Sequence, residues 1–257
     1  MSLLLLAPRI NETGLALLTA ARRRGLRAHT AQRWDVPEEL AGLGPAHLYG
    51  GPLFADAVAG RLGVAPLEPP DGWLAGLPAE LLGRRVEHTT LDEARRLTRP
   101  AFVKPPGDKL FPARVVPDGS ALPGPDVLDR DTPVLVSEPV VFAVEYRLFV
   151  LDGSVRAVSR YAVDGGLAVS AEVDPQVPAF AARVLAAGGL PSAVVVDVGR
   201  LDTGRLAVVE ANPAWASGGY AGDPDGLLDV VLRAAGPAGA LPVADRPYVR
   251  AVPEVVR

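Results

Sequence analysis

Apolar and polar positions over the first thirty residues follow a strand, helix, strand order. Residues 3–8 form a continuous apolar run, which predicts a buried strand. Residues 13–24 carry apolar side chains at helical spacing, and Gly25 marks the end of that predicted helix. Residues 26–30 predict a second short strand. The chain therefore begins with a predicted βαβ unit.

The pattern changes from helical to strand-like at about residue 101. Before it, residues 52–62 and 91–97 predict two helices. After it, we predict strands at 101–104, 113–116, 134–137, 145–151, 155–161, 192–198 and 206–211, with helices at 178–187 and 226–235.

This order of elements indicates an α/β or α+β architecture rather than a helix bundle or a β-sandwich. We expect an N-terminal βα domain at residues 1–98 and a second domain with mixed sheets at residues 99–257, divided near Arg99-Pro100. The Pro-rich tail after Pro242 is expected to pack loosely.

Composition narrows the possible classes of function. The chain has 257 residues, of which 49% are apolar, so it can bury a sizeable core. A net charge of −4 and the lack of a long basic run lead us to expect no nucleic-acid partner. The absence of cysteine excludes disulfides, thiolate metal sites and cysteine nucleophiles. The apolar start is too short to span a bilayer, so no membrane partner is expected.

A predicted hairpin near residue 200 carries three polar residues at matching places. A turn centred on Thr203-Gly204 sets Asp197 opposite Glu210, and Asn212 lies on the same face. Facing carboxylates on apolar strands repel each other unless a cation relieves the repulsion. Magnesium accepts such oxygen ligands and completes its shell with water and phosphate. We therefore predict a magnesium site; the alternative is a surface salt-bridge network on a solvated face.

Two lysines follow the first strand of the second domain. Lys104 lies at the strand end and Lys109 lies beyond a Pro/Gly turn, so both side chains can reach a phosphate chain. The sequence contains neither a P-loop nor a dinucleotide-binding glycine fingerprint. Phosphates would then be held by side-chain cations and metal. The alternative is that each lysine, as is usual for a lone lysine beside a turn, is a solvated surface residue.

Residues 134–137 form an apolar strand that ends in Glu138-Pro139-Val140. The free backbone groups at such an end, together with the acid, can read the edge of an adenine ring. The alternative is an acid that caps a turn.

A second hairpin is predicted around Asp152-Gly153, a pair that favours a type I′ turn. This turn sets Glu145 opposite Arg160 and puts Arg147 on the same side. The two arginines would then clamp a phosphate or carboxylate, or form a cross-strand salt bridge on an exposed face.

Taken together, these motifs in this order resemble the ATP-grasp superfamily, and most closely its small bacterial branch named for one arginine and two lysines. The resemblance covers about residues 100–225, and the chain ahead of it is similar to the βα domain that precedes an ATP-grasp core. It implies phosphate contacts for Lys104 and Lys109 and magnesium contacts for Asp197, Glu210 and Asn212. It also implies an adenine site at Glu138 and the backbone of Pro139 and Val140, with Glu145 at the nucleotide and Arg147 near the transferred phosphate.

The resemblance implies a cytoplasmic enzyme that uses ATP and Mg²⁺ to activate a carboxylate as an acyl phosphate and join it to an amine. Its partners would be small-molecule or peptide acids and amines. Two alternatives stay open: a phosphotransferase of the same fold, and a nucleotide-binding module without turnover. The segment between Lys104 and Glu138 is short, without an extended Gly-rich lid, and Trp215 fits either an acceptor-site loop or the core.

Overall fold

The computed structural model of the protein describes residues 2–9 and 11–251. The elements of its N-terminal part are β1 (Leu3–Leu6), α1 (Glu12–Arg23), β2 (Arg27–Thr30), β3 (Ala46–Tyr49), α2 (Pro52–Leu62) and β4 (Val64–Pro66). The first three strands form a parallel sheet in the order β2-β1-β3. All four leucines of β1 are buried, as is typical of a parallel strand covered on both faces. The predicted βαβ opening is confirmed.

A four-stranded antiparallel sheet comes next. Helix α3 (Ala79–Leu82) precedes this sheet, and helix α4 (Leu91–Ala94) follows its first strand. The strands are β5 (Val86–Thr90), β6 (Ala101–Lys104), β7 (Arg114–Val116) and β8 (Pro133–Ser137). The strand order is β5-β8-β6-β7. The predicted domain boundary after residue 98 needs correction, because β5 lies before it and pairs with β8 beyond it. Only Val86 of β5 is buried at this sheet edge, so the strand shows no apolar run.

A five-stranded antiparallel sheet holds the centre of the molecule. Its strands are β9 (Phe142–Leu151), β10 (Ser154–Val163), β11 (Gly166–Ser170), β12 (Ala193–Leu201) and β13 (Leu206–Asn212). Helix α5 (Val177–Ala186) connects β11 to β12. The strand order is β11-β10-β9-β12-β13. Phe180 and Val184 of α5 pack on one face of the sheet, with Leu148 and Val196. Phe149 and Val195, on the other face, share a core with the N-terminal sheet.

The chain then returns to its N-terminal part. Helix α6 (Pro224–Ala234) contributes to the core that it shares with β1, and β14 (Ala235–Pro237) pairs with β4. The prediction of a loosely packed tail is wrong at Asp245 and Arg250, whose side chains are enclosed by other parts of the chain. The buried carboxylate of Asp245 accepts a hydrogen bond of 2.7 Å from the backbone N–H of Ser192. Among residues 2–9 and 11–251, no helix is long and apolar enough to cross a membrane.

Trp215 lies in the core between the central sheet and the N-terminal sheet. Its side chain is fully buried, its indole N–H donates to the carbonyl of Leu67 at 2.8 Å, and its own carbonyl accepts from Gly50 at 2.9 Å. Of the two roles considered for Trp215, the structure shows the core role.

Replacing Trp215 with alanine is expected to lower the free energy of unfolding by about 4 kcal/mol, because the neighbouring side chains cannot fill the cavity. Trp215→Phe should cost less, since it keeps most of the apolar volume and loses the hydrogen bond to Leu67. Urea unfolding of the three proteins measures both effects. A Trp215→Ala protein with the midpoint of the natural chain would contradict this role.

Candidate active site

A cavity of about 400 Å³ lies between the two antiparallel sheets. Apolar side chains of both sheets form most of its walls, and a few polar groups stand at its edges. This composition is typical of a small-molecule pocket. Its lining includes Arg84, Phe102, Lys104, Glu138, Val140, Glu145 and Glu210.

The connection between β8 and β9 closes one end of this cavity. Glu138 accepts a hydrogen bond from the backbone N–H of Arg85 at 2.9 Å, and its own N–H donates to the carbonyl of Arg85 at 3.1 Å. Val140 lines the cavity, and Pro139 lies between the two in the same connection. In the described part of the chain, the backbone N–H and C=O of Val140 make no hydrogen bond. These two groups are therefore available to a ligand.

A second cavity of about 450 Å³ adjoins the first at its polar end. It shares Lys104 and Glu210 with the first cavity and adds Lys109 and Asn212. The structure thus brings both predicted lysines and two of the three predicted metal ligands to one groove.

Lys104 and Glu210 form an ion pair that links the two sheets at this groove. The amide nitrogen of Asn212 donates to the other oxygen of Glu210 at 2.8 Å. Burial alone raises the pKa of Glu210, but the charge of Lys104 and the hydrogen bonds from Asn212 and Lys104 together outweigh burial. The pKa of Glu210 therefore lies below its ordinary value, and the carboxylate is charged at neutral pH.

Arg147 and Asp197 form a second, bidentate ion pair beside the first. The Nε and Nη2 atoms of Arg147 lie 2.9 and 2.6 Å from the two oxygens of Asp197, which is fully buried. Burial raises the pKa of Asp197 to about 6, although the charge and hydrogen bonds of Arg147 oppose the rise. The Nη1 atom of Arg147 has no hydrogen-bond partner within the described residues and is not fully buried, so it can bind a ligand.

Asp197 pairs directly with Glu210 in the structure, as the sequence predicts. Two deviations cancel to produce this agreement. Next to the turn the pairing is shifted by one residue, because Arg200 pairs with Leu206 rather than Ala207, and a bulge at Val209 restores the expected register. Asn212 pairs with Val195 and shares the face of Glu210, also as predicted.

The predicted pairing of Glu145 with Arg160 is wrong. A bulge at Arg156 in β10 shifts the register by one residue, so that Arg160 pairs with Tyr146 and Ser159 pairs with Arg147. Arg160 therefore lies on the opposite side of the strand from Arg147, and its Nε donates to the carbonyl of Ala168 at 3.2 Å. The structure therefore does not bring Arg160 to the ion pairs Lys104–Glu210 and Arg147–Asp197.

Tyr161 reaches the site instead, at a second irregularity of β10 that leaves it without a strand partner. Its hydroxyl donates to Glu145 at 2.6 Å, and its ring stacks on Tyr220 with centroids 5.3 Å apart. The guanidinium of Arg147 lies 5.3 and 5.4 Å from the two ring centroids, within cation–π distance. Burial and the charges of Asp197 and Glu145 raise the pKa of Tyr161 above its ordinary value, which keeps the hydroxyl protonated. Tyr161 was not predicted as a site residue, because only the irregular register of β10 reveals its side of the sheet.

Arg84 is a further cavity residue that the sequence analysis missed. Its guanidinium donates to the carbonyls of Val208 at 2.7 Å and Val209 at 3.2 Å, which fixes β13 just before Glu210. Burial lowers the pKa of Arg84 to about 10, and the nearby charge of Glu210 opposes this effect. No motif distinguishes this residue from the other arginines of the segment.

The predicted magnesium ligands are compatible with that ion. Asp197, Glu210 and Asn212 lie on one face, and the amide nitrogen of Asn212 donates to Glu210 at 2.8 Å and to Asp197 at 3.3 Å. Two carboxylates and an amide match the few protein ligands that Mg²⁺ takes beside substrate phosphates. No group of three or more His, Cys, Asp or Glu side chains in the described chain could hold a metal. A metal held by these residues would complete its shell with water or with oxygens of a phosphate chain.

Comparison with known proteins agrees with this geometry. The model of the ATP-grasp domain, family 2 of the clade named for one arginine and two lysines, matches residues 81–230. D-cycloserine synthetase DcsG has a similar structure, with a TM-score of 0.56 and 17% identity over 90% of this chain and 98% of that chain. An ATP-grasp RimK domain protein from Sphaerobacter thermophilus has a TM-score of 0.52 and 21% identity over 90% and 100% of the two chains.

D-alanine–D-alanine ligase from Bacillus anthracis also shares the fold, with a TM-score of 0.52 and 15% identity over 91% of this chain and 97% of that chain. No curated protein matches the chain. At these identities the structures show the fold alone, whereas the family model covers more than half of the chain. The predicted fold class and the predicted resemblance are both confirmed. The chain belongs to the ATP-grasp domain family, in family 2 of the clade named for one arginine and two lysines.

Proposed function

We propose that the chain is an ATP- and Mg²⁺-dependent ligase that activates a carboxylate as an acyl phosphate and joins it to an amine. One observation carries this proposal: the Lys104–Glu210 ion pair lines a largely apolar cavity, and hydrogen bonds from Asn212 link it to the Arg147–Asp197 ion pair. Phosphoryl transfer needs charge stabilisation and positioning rather than a nucleophilic side chain, and this cluster supplies both. We expect the enzyme in the cytoplasm.

The two cavities support an ATP site that runs along the groove. The adenine ring would fill the apolar cavity near Phe102, where the free backbone groups of Val140 offer one donor and one acceptor to its edge. The phosphates would then extend toward Lys104 and Lys109 in the adjoining cavity.

Glu210, Asn212 and Asp197 are the residues that would hold Mg²⁺. When bound, the ion would neutralise charge on the phosphates during transfer. The protein's own cations already balance both carboxylates, because Lys104 pairs with Glu210 and Arg147 pairs with Asp197. Lys104 can therefore leave Glu210 and bind a phosphate oxygen, provided that a metal takes its place beside Glu210. No buried charge is then left uncompensated.

Arg147 is placed to bind the reacting groups through its free Nη1 atom. An oxygen of the substrate carboxylate would attack the γ-phosphorus while ADP departs, which gives the acyl phosphate. The amine nitrogen would then attack the acyl carbon, with inorganic phosphate as the leaving group. Asp197 and the two tyrosine rings hold the guanidinium in place through both steps.

Hydroxylamine trapping tests the proposal. The chain is incubated with Mg·ATP, hydroxylamine and pools of amino acids, dicarboxylic acids and short peptides, and ADP and hydroxamate are measured together. A ligase releases ADP and forms a hydroxamate from one acid, because hydroxylamine intercepts the acyl phosphate. ADP with a stable phosphorylated product would indicate a phosphotransferase. Nucleotide binding without ADP release in any pool would indicate a module without turnover.

A further inference from the structure

The loop that carries Lys109 has little support of its own. This phosphate-side loop, residues 105–113, contains Pro105, Pro106, Gly107 and Pro112. Its one backbone hydrogen bond in the described structure is internal, from Leu110 to the carbonyl of Asp108 at 2.8 Å. Phe111 packs against the small-sheet core. A segment with so few contacts samples several positions unless a side chain fixes it.

The C-terminal segment runs beside this loop as an extended strip. The carbonyl of Tyr248 accepts from the N–H of Glu68 at 2.8 Å, and the N–H of Arg250 donates to the carbonyl of Pro66 at 2.8 Å. Val249 forms an isolated antiparallel bridge with Leu67. These bonds fix the backbone of Arg250 against the N-terminal part of the chain.

The side chain of Arg250 joins three carboxylates. It is only 7% exposed, and it binds Asp56 of α2 through two hydrogen bonds of 2.7 and 3.0 Å. It binds Glu68 at 2.7 Å and Asp108 of the phosphate-side loop at 3.0 and 3.2 Å. The bonds to Asp108 are the side-chain hydrogen bonds that tie the loop to the rest of the described molecule.

We propose that Arg250 is a positioning residue for the nucleotide phosphates: through Asp108 it holds the phosphate-side loop so that Lys109 lines the groove beside Lys104 and Glu210. This inference rests on the proposed function, because it assigns Lys109 to a phosphate. A freed loop would present Lys109 correctly only part of the time, and the apparent affinity for ATP would fall by that fraction.

Electrostatics alone predicts that Asp108→Asn strengthens ATP binding, whereas a freed loop weakens it. Asp108 is a negative charge next to Lys109, and its removal by Asp108→Asn should favour a polyanion such as ATP. If Asp108 acts by holding the loop, the same substitution should weaken ATP binding. The sign of the change therefore separates positioning from simple charge.

Calorimetric titration of Mg·ATP into the full chain measures this sign. We expect Asp108→Asn to raise the Kd by about tenfold, as when the competent loop position falls to roughly a tenth of the population. Asp56→Asn is the matched control: it makes the same chemical change at the same arginine and leaves the loop bonded, so its Kd should stay within about twofold of the natural value. Unchanged or tighter binding by Asp108→Asn would overturn the inference.

A double-mutant cycle provides a second readout that a merely structural role would not move. If Asp108 acts through Lys109, Lys109→Met should weaken binding in the natural chain and much less in the Asp108→Asn background. Equal losses in both backgrounds would contradict the mechanism. Failure of the natural chain to bind Mg·ATP would overturn the proposed function together with this inference, whereas normal binding by both the natural chain and Asp108→Asn would overturn this inference alone.

Discussion

Glu210→Gln is expected to reduce ADP release by about a thousandfold, the loss typical of removing one group that stabilises charge in the transition state. The substitution keeps the shape of the side chain and its contact with Asn212, but it removes the charge that pairs with Lys104 and that would hold the metal. Raised magnesium should not restore activity, because an amide oxygen binds this ion far more weakly than a carboxylate.

Two controls accompany this variant. Glu172→Gln makes the same change at an exposed site outside the groove and should leave ADP release unchanged. Urea unfolding should show that Glu210→Gln is folded and destabilised by about 1–3 kcal/mol, since Lys104 keeps a hydrogen-bond acceptor but loses its counter-charge. A folded Glu210→Gln protein with natural activity would rule out the metal assignment.

Arg147→Lys is expected to lower ADP release by about a hundredfold or more while the chain stays folded. Lysine keeps a positive charge near Asp197 but cannot form the bidentate pair or offer a second nitrogen to the substrate. Its ammonium should also contact the rings of Tyr161 and Tyr220 less effectively than the planar guanidinium.

Arg147→Ala should instead destabilise the protein by about 3–5 kcal/mol, because it leaves the buried carboxylate of Asp197 without a partner. The double variant Arg147→Ala/Asp197→Asn should recover part of that stability and none of the activity. ADP release and urea unfolding of the three variants separate the two roles. Natural activity in Arg147→Lys would remove Arg147 from the mechanism.

The apolar pattern was sufficient to predict most of the central sheet. Strands β12 and β13 are apolar runs, so Asp197 and Glu210 stand out against them, and their pairing follows from the hairpin. Edge strands were harder to predict. β5 and β11 lie at sheet edges, where β5 buries one residue and β11 buries none, so neither shows an apolar run.

The bulges explain the main error in the predicted site. The register of β10 against β9 shifts at Arg156, and a period-two pattern contains no sign of a single unpaired residue. The shift exchanges Arg160 for Tyr161 on the site face. In the β12–β13 hairpin, the bulge at Val209 offsets the error in the turn, so the same reasoning gave the right pair.

Contacts between distant segments lay beyond any local pattern. Arg250 meets Asp56, Glu68 and Asp108 from three separate parts of the chain, and Arg84 reaches the backbone of β13. A lone arginine in a sequence is typical of the surface. Only the fold shows that Arg250 and Arg84 are enclosed by other segments. The family resemblance predicts a nucleotide site at this groove, but it does not predict these supports.

We expect the groove between the two antiparallel sheets to bind Mg·ATP through Lys104. Calorimetric titration of ATP into the natural chain and into Lys104→Ala, each with and without Mg²⁺, measures this binding. We expect magnesium-dependent binding to the natural chain and loss of that binding in a folded Lys104→Ala protein. Absence of binding to the natural chain at millimolar ATP, or equal binding to both proteins, would contradict it.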